Sequence, residues 1–302
     1  MQSCGQQKKA KNNNTTTMEN YTYKTNKRTV YGMDLAIPGP HELYINDIRA
    51  RKENETGMHN TFVPINPYVL KSGTYSFRLK LFPEPDDLEK GGLQPSTLQF
   101  LKVALSSYEK TGTKEQAASY KILQHYPVAK IDAPIPYYEI TGEFTVELPY
   151  ELEGWSNGQD LSKLDQKELQ KKVVAYYEKV RTIMNNGDAD TWMNIIKKRN
   201  LETDIFDYIP QNEIEEDEKT DYEGIKNENK NNMLPLEDYS LFIYADGKLV
   251  TLERNPTTKF EGHDVNIKGW NPLITNDHGA IFSSSILLYL PKGSDEFVII
   301  RK

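Results

Sequence analysis

Through the first half of the chain, apolar and polar positions alternate with a period of two. Tyr75, Phe77, Leu79 and Leu81 are separated by Ser76, Arg78 and Lys80. Successive strand residues point to opposite faces, so this run predicts a half-buried β-strand. Phe144, Val146 and Leu148 repeat the pattern, as do Leu43 and Ile45. Asn46-Asp47 then interrupts before Ile48, and both types tolerate positive φ, which predicts a tight hairpin. Residues 98–108 fit either a helix (Leu98, Leu101, Leu105, Tyr108) or a strand (Leu101, Val103, Leu105); the neighbouring strands favour a strand. Pro83, Pro85, Pro134, Pro136 and Pro149 punctuate strand ends, where a missing N–H costs least. Residues 21–149 are therefore expected to form an antiparallel β-sandwich.

After residue 160 the period changes. Asp165 is placed to cap a helix, with Glu168 three residues on. Leu169, Val173, Tyr176, Val180, Ile183 and Met184 then recur at helical spacing, and Asn186-Gly187 supplies a left-handed stop. A second helix is expected from Asp188, with Trp192, Ile195 and Ile196 inward and Lys197, Lys198 and Arg199 at its negative end. A third short turn ends at Pro210. Strands follow: Leu241 and Ile243, an Asp246-Gly247 hairpin turn, then Leu249 and Thr251. Segments 281–290 and 297–300 would complete the sheet. The fold class expected is β-rich α+β, a sandwich followed by helices and then a curved antiparallel sheet over 160–302.

Composition changes this picture at one place. The net charge is −7, yet residues 202–228 hold 11 acidic and 2 basic residues, so this segment alone carries −9. The rest of the chain is close to neutral and has no basic stripe to bind phosphates, which argues against a nucleic-acid partner. Glu213, Glu215, Glu216, Asp217, Glu218 and Asp221 form the densest run, inside an expected acidic insertion over 211–232. It reads either as a solvated loop or as a docking surface that steers a basic protein. A calcium loop would need alternating ligands and a central glycine that this run lacks. The 19 tyrosines against 10 phenylalanines fit half-buried sheet surfaces or an interface.

Candidate chemistry is sparse. The histidines, 41, 59, 125, 263 and 278, form no HxH or HExxH pattern. His263-Asp264 and Asp277-His278 have the right donors for a metal but not a spacing that brings them together. No nucleophile elbow, phosphate loop or dinucleotide fingerprint occurs, and Ser283-Ser284-Ser285 reads as strand hydroxyls. Catalytic residues, metal and cofactor are accordingly expected to be none.

Two resemblances add expectations. Gln2-Ser3-Cys4-Gly5 resembles the end of a bacterial lipoprotein signal, followed over residues 6–17 by a polar linker. Cys4 is the only cysteine, so no internal disulfide can form. The resemblance implies lipidation at Cys4, a periplasmic or outer-membrane location, and membrane contact only through that anchor. The signal peptide itself is not part of this chain. Residues 1–20 have no apolar periodicity and are expected to be disordered. The Asn, Lys and Tyr-rich style is similar to exported proteins of Bacteroidetes-type bacteria. Separately, Ala175-Tyr176-Tyr177 and Met184-Asn185-Asn186-Gly187-Asp188-Ala189-Asp190, between two helices, resemble NTF2-like domains, in which helices lie in the concavity of a curved sheet. That resemblance implies a pocket that Tyr176, Tyr177, Trp192 and Trp270 would line. The functional expectation is a non-catalytic envelope protein that binds or neutralises another protein, in the manner of an immunity protein or inhibitor. The alternatives are a small-ligand or catalytic NTF2-like protein and a structural envelope component.

Overall fold

Strands outnumber helices in the computed structural model, at 34% against 29% of residues, and every sheet is antiparallel. It describes residues 21–301 apart from 113, 256, 257, 261, 262 and 266, and no side chain within 256–266. The first part contains β1 (Thr29–Pro38), β2 (His41–Ile45), β3 (Ile48–Glu53), β4 (Met58–Pro64) and β5 (Gly73–Leu81). Two one-turn helices follow, α1 (Pro85–Leu88) and α2 (Pro95–Leu98), then β6 (Lys102–Glu109), α3 (Lys114–Ser119), β7 (Lys121–Tyr126) and β8 (Tyr138–Val146). They pair as two four-stranded sheets, β4-β1-β6-β7 and β3-β2-β5-β8. The inward residues of both sheets, among them Met33, Leu43, Leu79, Val103 and Phe144, fall in one core.

The Asn46-Asp47 turn forms as its residue types demand. Both take positive φ (51° and 58°) and join β2 to β3 with Ile45 opposite Ile48. Segment 98–108 divides: Leu98 ends α2, and the strand begins at Lys102. Pro95 at the first turn of α2 explains the helical start, since its fixed φ is already helical.

The second part opens with α4 (Gln166–Asn185) and α5 (Ala189–Phe206). Asp165 accepts from the N–H groups of Lys167 and Glu168, satisfying two of the helix's orphan donors. The Glu168 carboxylate turns instead to Lys171, so the box is half made. Gly187, at φ 67°, makes the left-handed exit. The buried stripe of α4 takes Tyr177 rather than Tyr176. Lys197, Lys198 and Arg199 are not at the end of α5. The helix continues for two more turns because Leu201, Ile205 and Phe206 prolong its apolar face into the first core. Tyr208 then leaves at positive φ.

The acidic segment is a helix, not a loop. It forms α6 (Gln211–Gly224), followed by a π-turn over Ile225–Asn229. Buried Ile214 and Ile225 anchor its two ends, and Glu213 in its first turn complements the helix dipole.

Then come β9 (Tyr239–Tyr244), β10 (Leu249–Arg254), two hairpins, β11 (Thr258–Phe260) with β12 (His263–Val265) and β13 (Ile274–Asp277) with β14 (Ala280–Ser283), and finally β15 (Leu287–Tyr289) and β16 (Val298–Arg301). The order β16-β15-β10-β9 makes a meander. Segment 281–290 is thus not one strand: its first residues belong to β14 and its last to β15. The β9–β10 connection has four residues rather than two, since Tyr244 pairs with Leu249. Ala245, Asp246 and Gly247 all take positive φ, and a Cβ on Gly247 would meet Asp160 Oδ1 at 2.3 Å.

The two parts are joined by buried polar contacts. Arg49 Nη1 lies 2.6 Å from Glu253 Oε2 as an ion pair, and the Tyr244 hydroxyl donates to Glu253 Oε1 at 2.7 Å. Burial pushes the Glu253 carboxyl up against the pull of Arg49 and that hydroxyl. Arg301 is buried at the same junction. It pairs with Glu202 at 2.9 Å, donates to the Pro67 carbonyl at 2.9 Å, and lies beside the Trp155 and Phe206 rings. Removing one partner of such a pair leaves an uncompensated buried charge.

Candidate functional site

Along α5, two different sets of side chains line two different recesses. One recess is a notch of about 300 Å³ between α5 and α6. Asp204 and Asp207 approach it from the end of α5, and Asp217, Glu218 and Asp221 from α6. Arg199 is the only basic residue lining the notch, and it pairs with Asp221 at 3.4 Å. Burial pushes the Asp204 carboxyl up to about 6, and the like charges of Glu218, Asp217 and Asp207 add to the shift. The notch therefore holds more negative charge than its one arginine balances. Outside it, Glu213, Glu215, Glu216 and Glu223 are exposed along with the other α6 carboxylates. Ile214 is the only buried residue of α6, which makes the helix an acidic ridge. Among the described residues, no group of three or more His, Cys, Asp or Glu side chains is arranged to hold a metal ion.

The four aromatics expected to share one pocket are not brought together. Tyr177 is fully buried in the second core. Its hydroxyl accepts from the Leu252 N–H and Asn271 Nδ2 and lies 3.2 Å from the Ile286 carbonyl. Burial raises its pKa to about 12, so it acts as a neutral hub. Trp192 is buried in the same core, with the Arg199 guanidinium 5.6 Å from its ring centroid. Tyr176 turns outward to pack on Phe297. Trp270 lies at the junction of the two parts, in a cleft with Arg49, Lys52, Tyr68 and Phe282. Side chains of α4, α5, β10 and β15 fill the space between the helices and the sheet.

The other candidates scatter. Cys4 lies outside the described residues, as do the side chains of His263 and Asp264. His278 is exposed, and its Nδ1 lies 2.6 Å from the carboxylate of its neighbour Asp277. The Ser283 hydroxyl donates to the Asn271 carbonyl, a structural role. His41 is buried: its Nδ1 meets the Gly39 carbonyl at 2.9 Å, and its Nε2 accepts from Arg51 Nε at 3.3 Å. Burial lowers its pKa, which keeps the ring neutral beside that guanidinium.

Sequence reasoning missed Asp204 and Asp207 as partners of the acidic run. The available signal was their spacing: residues 200, 203, 204 and 207 recur at three to four and share one face of a helix.

No family model, curated protein or solved structure matches the chain. No helix among the described residues is long and apolar enough to cross a membrane.

Proposed function

We propose that this is a non-catalytic protein of the cell envelope that binds, and by binding neutralises, a basic partner protein. The observation that carries the reading is α6. It exposes every carboxylate it has while burying one isoleucine, and it turns Asp217, Glu218 and Asp221 toward Asp204 and Asp207. A ridge of one sign steers a cationic partner and raises its on-rate, an effect that falls with salt. The notch is the place for a lysine or arginine side chain of that partner, where its charge would relieve the repulsion around Asp204. Lipidation at Cys4 would hold the protein at the periplasmic face of the outer membrane, where such a partner would be met.

The first two sheets are read as the two layers of a β-sandwich, supported by their shared core. The helix pair on the β9–β16 meander is the arrangement behind the NTF2-like resemblance. Because the core side chains there are packed together, the reading places binding on the outside of α5 and α6 rather than in a cone.

The test is capture from the native envelope with the wild-type chain and with Glu213→Lys/Glu216→Lys/Asp217→Lys. The wild type is expected to retain a basic protein that the variant loses, with binding weakening as salt rises. Equal retention by both chains would sink the acidic-docking reading.

A further inference from the structure

The other recess along α5 is a groove of about 850 Å³ between α4, α5 and the segment entering β16. It shares no lining residue with the notch. Its floor is apolar: Tyr176, Ile195, Leu201, Phe297 and Val298. Tyr176 and Phe297 meet edge to face, with ring centroids 5.9 Å apart. Its rim is charged. Lys172 and Lys179 stand two turns apart on α4, roughly 10 Å along the axis at a helical rise of about 1.5 Å per residue. Lys197 stands across from them on α5. Lys198 is already held by Glu153 at 2.6 Å and the Tyr289 hydroxyl at 2.7 Å.

The other three lysines differ. Among the described residues, Lys172, Lys179 and Lys197 make no ion pair; the nearest partner of Lys179 is the Tyr176 ring, 5.9 Å from its Nζ. The three unpaired lysines stand on the helix side of the groove, away in sequence from Asp295 and Glu296, and over an apolar floor they complement a ligand with an apolar body and an anionic head. The volume falls in the range of small-molecule sites, roughly 300–1,000 Å³.

We propose that this groove binds a single-chain carboxylate amphiphile. Its acyl chain lies on Tyr176, Ile195 and Phe297, and its carboxylate is met by Lys172, Lys179 and Lys197. The site is independent of partner docking at α6, and either can fail without the other.

The experiment is calorimetric titration of the full chain with decanoate below its micellar concentration, alongside octanoate, decyltrimethylammonium and decanol. Decanoate is expected to bind saturably at one site. Each buried methylene is expected to raise affinity about fourfold from octanoate to decanoate. Lys172→Glu/Lys179→Glu/Lys197→Glu is expected to weaken decanoate by about tenfold with an unchanged melting temperature. Ile195→Trp, which fills the floor, is expected to weaken it by steric means. Equal binding of the cationic or neutral analogue would overturn the proposal, as would unchanged binding by the triple variant. So would the absence of saturable binding. Binding of an acidic amphipathic peptide in place of decanoate would likewise overturn it in favour of a protein occupant. If the triple variant fails to fold, the ligand-charge series and Ile195→Trp still decide.

Discussion

Along α5, the flank carrying Ile195, Lys197, Lys198 and Leu201 faces the groove, whereas the flank carrying Asn200, Thr203 and Asp204 faces the notch. A single 18-residue helix thus separates an apolar recess whose rim is net cationic from an anionic one. Between these flanks runs a third face that meets no solvent, with Trp192, Ile196, Glu202, Ile205 and Phe206 buried. The lesson is that the same kind of charge has two uses within one element. Glu202 is buried and fully partnered, so it belongs to the fold. Asp204, two residues on, is half-buried against like charges, so it is available to something else.

The largest effect is expected at Glu202. Glu202→Ala strands Arg301 in the junction and is expected to cost about 3–5 kcal/mol of stability, read as a fall in the urea midpoint. Phe206→Ala removes the ring that α5 inserts into the first core and is expected to cost about as much, roughly 3–5 kcal/mol. If either change proves neutral, the buried face of α5 does not join the two parts.

Asp204 should behave in the opposite way. Its pKa is raised by burial and by Glu218, so between about pH 4 and about pH 6 the folded state binds the extra proton. Its contribution is best at low pH and is lost as pH rises through 6. Asp204→Asn is therefore expected to stabilise at pH 7, by on the order of 1 kcal/mol after allowing for solvent screening, and to have little effect at pH 4.

His41 titrates with the opposite sense. Its pKa is lowered by burial, so below about pH 6.5 the unfolded chain takes up a proton that the folded one refuses. Stability falls as pH drops, and His41→Gln should flatten that acid limb. Between about pH 4 and pH 6 the two groups act in opposite senses and partly offset one another, so each is read from thermal melts of its own variant against the wild type across pH 4–8. The smallest effect is expected on the ridge: reversing Glu213, Glu216 and Asp217 removes a favourable charge at the helix start and relieves a like charge beside Asp204, two small and opposed effects, so the midpoint should move little while partner capture is lost.

Much of the fold could be read from local pattern. The β5 alternation, the Asn46-Asp47 turn and the Asp165 and Gly187 boundaries of α4 each depend on residues within a few positions of one another. The choice of Tyr177 over Tyr176 was not legible, because adjacent residues differ by about 100° around a helix and either fits the stripe within its width. The helix α6 was hidden because its two buried anchors, Ile214 and Ile225, are 11 positions apart amid charge. The end of α5 was misplaced because three consecutive cations looked like a terminus, when the apolar face resumed beyond them. At the candidate site, the run from Glu213 to Asp221 was legible as charge. Its meeting with Asp204 and Asp207 was not, since that depends on how α6 folds back along α5. The junction pairs were out of reach for the same reason: Arg49 finds Glu253, and Arg301 finds Pro67, across most of the chain.

The last of those contacts sets an order in time. Arg301 is 234 residues beyond the carbonyl it holds at Pro67 and 99 beyond Glu202. At roughly 5–20 residues per second of synthesis, Pro67 waits on the order of 10–50 s for its partner. The first two sheets have all their strands within that interval and can close before the junction does. Until residue 301 arrives, Glu202 has no counter-ion and burying it is unfavourable. The Arg301–Glu202 pair is thus the last of these junction contacts that the growing chain can make.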